Sequence, residues 1–284
     1  MLFINLFWIS HIYITLSSDK IAIENKIETI QMAIPATNID EVISELDVIV
    51  AKCLAENNKM GLFAALYRKV TLRVKEGIAA GRFNDGERME RLDVVFANRY
   101  LEAYDAYNTG NSMTSSWRIT FNAAKNPNLF IIQHLFAGMN SHISLDLGIA
   151  TAKTVGGLPL SDIERDFNEI NKILSDMIDD VQKALEKTSI MMLALDWLVG
   201  KADEKLAQFS LELFRKRAWD ITNHLYGLAD DVLLQQITLL DYQVSKENHL
   251  FTDWSTNFLP PMVRLSALIQ NKKAAAVVRA FNAI

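Results

Sequence analysis

Turn-formers are scarce in this chain, and that scarcity narrows the fold before anything else does. Eleven Gly and 5 Pro are spread over 284 residues. These are about 4% and about 2%, against roughly 7% and 5% in ordinary proteins. Sandwiches, barrels and many-stranded sheets place Gly or Pro at most of their corners, so those folds are excluded. Half of the residues are hydrophobic and 22% are charged, which rules out disorder. Long helices joined by few, short breaks remain. The expectation is an all-α, single-domain bundle of about nine helices without significant sheet.

Periodicity places the helices. Asn38 is a candidate N-cap with Glu41 three residues on, and Ile39, Val42, Ile43, Leu46, Ile49 and Val50 follow at three-to-four spacing to about Ala55. Met60 to Ala80 forms the next helix, ended by Gly81. Asn84 with Glu87 opens a third, which fades at Gly110. Ser115 or Ser116 caps a short segment carrying Trp117 and Phe121. Pro127 marks a further helix start. The stretch from Asn128 to Ala152 is apolar nearly all round, the mark of a central, buried helix. After the Gly156-Gly157 joint, Ile163 to Leu185 is strongly amphipathic. Helices over about 189–198, 203–225 and 232–244 and one opened by Pro260 and Pro261 complete the chain.

Residues 1–31 stand apart as a non-core extension, and the helical domain spans 32–284. The opening MLFINLFWISHIYITLSS is apolar but has no Lys or Arg before its apolar run, and Asn5, Ser10 and His11 interrupt it. It is a poor secretion signal and too short and broken for a membrane span. The expectation is an over-called start, with a weak signal as the alternative, and a soluble, cytoplasmic protein without an integral membrane span. Net charge is −5, so no basic field is available for nucleic acid. Local basic clusters, among them Arg215, Lys216 and Arg217, read as solvated helix faces. Cys53 is the single cysteine, which leaves neither a disulfide nor a multi-Cys zinc site. Oligomeric state is not readable.

Chemistry points to one place. His142 and Asp146 are four apart in the apolar helix, so an α-helix puts them on one face. His134 lies eight residues earlier, about 80° round. Buried polar groups need partners, so this pair either satisfies itself or binds something. Asp220 and His224 repeat the spacing, and Asp166 sits in the polar run DFNEIN. Inward imidazoles and carboxylates are how bundles build metal sites. A zinc or iron site wants about three or four ligands, and His134, His142, Asp146, Asp166 and His224 are the candidates. No H-E-x-x-H, Walker A or G-x-S-x-G occurs.

Several stretches carry a resemblance. LYRKVTLRV (66–74), FNDGERMERLDVVFANRYLEA (83–103), Trp117 with Phe121, GMNSHISLDL (138–147), DFNEIN (166–171) and RKRAW (215–219) resemble the bacterial family catalogued as domain of unknown function 5995. The string G-M-N-x-H-I-x-x-D-L is its most specific part. The resemblance implies an all-helical protein and assigns no reaction or cofactor. It singles out the same His142 and Asp146.

Two functions are therefore in play. One is a metal-dependent, hydrolase-like enzyme, with His142 and Asp146 as ligands or as a general base with its orienting carboxylate. The other is a non-catalytic helical module that binds a small apolar ligand or a protein partner. Gly138 and Gly148 flank the pair inside a helix, where Gly costs about 1 kcal/mol relative to Ala. They predict close approach of another helix or a ligand.

Overall fold

The computed structural model describes residues 35–186, 203–253, 268–269 and 272–283. The extension at 1–31, the predicted helix over 189–198 and the Pro260-Pro261 helix start lie outside the described residues. The described residues are all-α, with no strand among them.

Helix α1 (Ile39–Ala55) starts as its sequence predicts. The Asn38 side chain accepts the Glu41 N–H, and Glu41 reaches back to Thr37. Helix α2 (Met60–Ala79) lies along α1. Helix α3 (Gly86–Thr109) is capped by Asp85, which accepts the Arg88 N–H, rather than by Asn84. Gly110 ends it in the left-handed conformation at φ 76°. Helix α4 (Ser115–Ala123) has no local side-chain cap. Asp241, from a helix more than a hundred residues later, accepts the N–H groups of Ser115 and Ser116 at 2.7 and 3.0 Å. A distant carboxylate thus does the work expected of a local serine.

The predicted central helix is present but composite. It runs as α5 (Ile131–Met139), a π-helix (Asn140–Leu147) and α6 (Gly148–Val155). It begins after Phe130, not at Pro127; Gln133 accepts the Phe130 N–H at 2.9 Å. Helices α7 (Ser161–Glu186), α8 (Asp203–Leu225), α9 (Asp230–Thr252) and α10 (Ala274–Ala283) follow. Helix α8 packs on the π-helix and α6, α9 on α4 and the π-helix, and α10 on α2. The largest core cluster joins Leu46, Val50, Phe63, Tyr100, Trp117 and Phe281 from helices α1, α2, α3, α4 and α10. No described helix is long and apolar enough to cross a membrane.

The two interior glycines answer to helices. A Cβ on Gly138 would lie 2.5 Å from Cδ2 and 2.7 Å from Cγ of Phe63 on α2. A Cβ on Gly148 would lie 2.5 Å from Ile221 Cγ2 and 2.9 Å from the Ala218 carbonyl oxygen on α8. The central helix is gripped from two sides, just before and just after the π-helix.

Candidate functional site

The site is built on the π-helix, a rare form that recurs at functional positions. A polar network fastens it to α4 and α9. Ser144 donates to Asn140 Oδ1 at 2.8 Å, and Asn140 donates to Asn248 Oδ1 at 2.9 Å. Asn248 in turn donates to Ser141 Oγ at 2.7 Å and to the Ser116 carbonyl at 3.0 Å. Asn140, Ser141, Ser144 and Asn248 are all fully buried. A buried network is stabilising only when its members are satisfied, and these are.

Asp146 is the hub of a second cluster. Its Oδ1 accepts Arg99 Nε–H at 2.7 Å. Its Oδ2 accepts Trp117 Nε1–H at 2.7 Å and faces His142 Nδ1 at 3.3 Å. Burial alone would raise this carboxyl, but Arg99, His142 and Trp117 outweigh it and hold it below its ordinary value. Asp146 is therefore ionised and can only accept. The proton between the pair then belongs to Nδ1, and the Nε2 lone pair is free. Burial lowers the His142 value despite the neighbouring carboxylate, so the ring is neutral.

Aromatic rings enclose that imidazole. Phe96 stacks on it at 3.6 Å between centroids and 12° between planes. Tyr67 meets it edge-on at 4.3 Å, and Phe63, Tyr100 and Trp117 stand at 5.6 to 6.0 Å. Three polar atoms in this shell are buried without a hydrogen-bond partner: His142 Nε2, Tyr67 Oη and Tyr100 Oη. Such orphans are uncommon in native cores, and each needs an explanation.

Asp93 lies nearby on α3, one turn from Phe96, and sequence reasoning missed it. It is buried, and its Oδ2 has no partner. Burial, with Glu90 adding repulsion, pushes its carboxyl up to about 7. The value of the folded state thus stands above the ordinary 3.8. Its stabilising contribution is complete at low pH and is lost as pH rises through 7. Asp93→Asn removes this dependence. The stability of the variant relative to wild type should rise by about 3 kcal/mol between pH 5 and pH 8. Urea unfolding of both proteins at the two pH values measures it, and a pH-independent difference contradicts the assignment.

A family model described as "Family of unknown function (DUF5995)" matches residues 39–253. The chain belongs to this family. No curated protein and no solved structure matches it significantly. The match spans all of α1 to α9, so the π-helix, the Asp146 cluster and the aromatic shell lie within the DUF5995 region.

Of the five candidate metal ligands, the structure brings together only His142 and Asp146. His134 is buried, but its Nε2 has no partner, and burial lowers its value to about 3. An unbroken α-helix would set it about 80° from His142, but His142 lies within the wider π-helix, which changes that offset. Asp166 is a structural acceptor for the Asn84 and Asp85 N–H groups and for Arg88 Nη2. His224 is exposed and hydrogen-bonds Gln236 at 2.8 Å. Asp220 is also exposed and pairs with Lys216 rather than with His224. Both lie on the solvent side of α8, where nothing forces a His–Asp pair to form. Among the described residues no group of three or more His, Cys, Asp or Glu could hold a metal ion. Arg99, Trp117, Tyr67, Phe96 and Tyr100 complete the site instead.

Proposed function

We propose that the protein is an acid–base enzyme for a small, largely apolar molecule, with His142 as general base and Asp146 as the carboxylate that orients it. The observation that carries this reading is the free Nε2 of a neutral imidazole whose other nitrogen is tied to an ionised Asp. A purely structural buried His usually has both nitrogens engaged. This one has an uncommitted lone pair beside an ionised carboxylate, and the aromatic shell must open before a substrate or a water reaches it. The aromatic walls suit an apolar or flat molecule. Arg99, at 19% side-chain exposure, is the member of the Asp146 cluster that reaches solvent. A zinc-dependent version of the chemistry wants about three protein ligands, and the dyad supplies His142 Nε2 alone at the free position.

The non-catalytic reading draws on the burial of the dyad, with both side chains at 1–2% exposure. One variant separates the two. His142→Phe keeps a ring in the aromatic shell and removes the nitrogen. As the base of an enzyme, wild type hydrolyses short-chain nitrophenyl esters, while the variant keeps its stability within about 1.5 kcal/mol and loses the activity. If instead the variant loses several kcal/mol and neither protein turns over ester, the dyad is a structural pair.

A further inference from the structure

Arg215, Lys216 and Arg217 are consecutive on α8, and they meet different fates. Lys216 pairs with Asp220 and Arg217 with Glu247, both at the surface. Arg215 turns inward and is 3% exposed. Its guanidinium lies over the Phe167 ring at 4.2 Å from the centroid, and Nη2 donates to the Phe167 carbonyl. Nε is buried without a partner. No carboxylate pairs with it among the described residues. A buried charge is normally paired or hydrogen-bonded throughout, because the desolvation penalty is otherwise large. The π-face contact and one carbonyl satisfy two of its needs and leave the Nε edge, one half of the fork that recognises planar or tetrahedral oxyanions.

We infer that Arg215 is the recognition residue of a second site, separate from the His142–Asp146 dyad, which takes an oxyanion: a carboxylate or a phosphate group. Phe167 holds the guanidinium plane and its carbonyl fixes the rotation, so the free edge is pre-set before the anion arrives. The site therefore lies on the inward face of α8, where it meets Phe167 of α7, and an oxyanion reaches it by displacing part of that packing. Burial also drives the Arg215 value down to about 9, the response of a cation without a counter-charge. A bound oxyanion supplies that charge.

The test uses the full chain. Sodium phosphate and sodium acetate are titrated separately, with sodium chloride at matched ionic strength as the control. Thermal unfolding and the Arg215 Nε–H resonance are followed. The expected result is a Tm rise of several degrees with at least one oxyanion beyond chloride, together with a saturable shift of the Nε–H signal. Arg215→Met should abolish the extra rise, and Arg215→Lys, which has no fork, should weaken binding at least tenfold. The acetate and phosphate arms tell the two sources of oxyanion apart. An Nε–H resonance that neither anion moves overturns the inference, even if Arg215→Met fails to fold. An equal Tm response in wild type and Arg215→Met also overturns it.

Discussion

Asp146→Ala should lower folding stability by about 3–5 kcal/mol, the usual effect of removing one partner from a buried charge cluster. Three donors lose their acceptor at once: Arg99 Nε, Trp117 Nε1 and His142 Nδ1. Trp117 and His142 are buried and have no water to turn to, whereas Arg99 is partly exposed and can swing outward. Most of the loss therefore comes from the indole and the imidazole. Denaturant unfolding measures the total, and Trp117 fluorescence reports the loss of the indole bond. The effect also has a pH signature. The folded Asp146 value is depressed, so its contribution is present at neutral pH and is lost as pH falls below about 4. Wild type and Asp146→Ala should thus converge in stability toward acid pH. A variant within 1 kcal/mol of wild type at pH 7 would show that the cluster does not hold the core together.

The second large effect is at Gly148. In most helix interiors Gly→Ala stabilises by about 0.5–1 kcal/mol. Here the sign reverses. The new methyl would sit 2.5 Å from Ile221 Cγ2, 2.8 Å from Ile221 Cβ and 2.9 Å from the Ala218 carbonyl oxygen. Overpacking of this kind costs about 1–3 kcal/mol, and more where backbone must move. Backbone must move here, so Gly148→Ala should lose about 3 kcal/mol. Trimming Ile221 to Ala should not rescue it, because the carbonyl stays. Gly138→Ala provides the contrast, since its principal obstacles are Phe63 Cδ2 and Cγ, and Phe63→Ala, which removes both, should cancel part of the loss in a double-mutant cycle. Chemical denaturation of these variants decides it. A Gly148→Ala protein as stable as wild type would contradict the observed helix spacing.

Much of this architecture was legible in the residues. Apolar spacing and the few Gly and Pro located the helices from α1 to α6 closely, because periodicity is a local property. His142 and Asp146 stood out because a His and a carboxylate in so apolar a stretch are costly to keep. What the residues hid was tertiary. Arg99 reads as an ordinary helix cation on α3 until Asp146 is placed against it. Asp93 has an unpartnered Oδ2, so no partner was there to mark it in the sequence. The cap of α4 could not be found locally, since Asp241 is distant in sequence. His134, Asp166 and His224 stand apart from the dyad for a related reason: spacing says which residues share a helix face, but not whether that face is buried or meets the next helix.

The π-helix also has a bearing on how this protein can change. A π-turn differs from an α-turn by roughly one residue, and one residue is roughly 100° of helix rotation. If Asn140–Leu147 rewound as α-helix, everything after it would turn relative to everything before. Gly138 could stay under Phe63, but Gly148 would leave the Ala218 carbonyl, and a side chain would arrive in its place. The two glycine contacts thus act as a pair of keys cut for one angular offset. A single-residue insertion or deletion within Asn140–Leu147 would therefore pull one glycine contact out of register, whereas a side-chain exchange that keeps the hydrogen bonds and the packing of Leu145 and Leu147 would not.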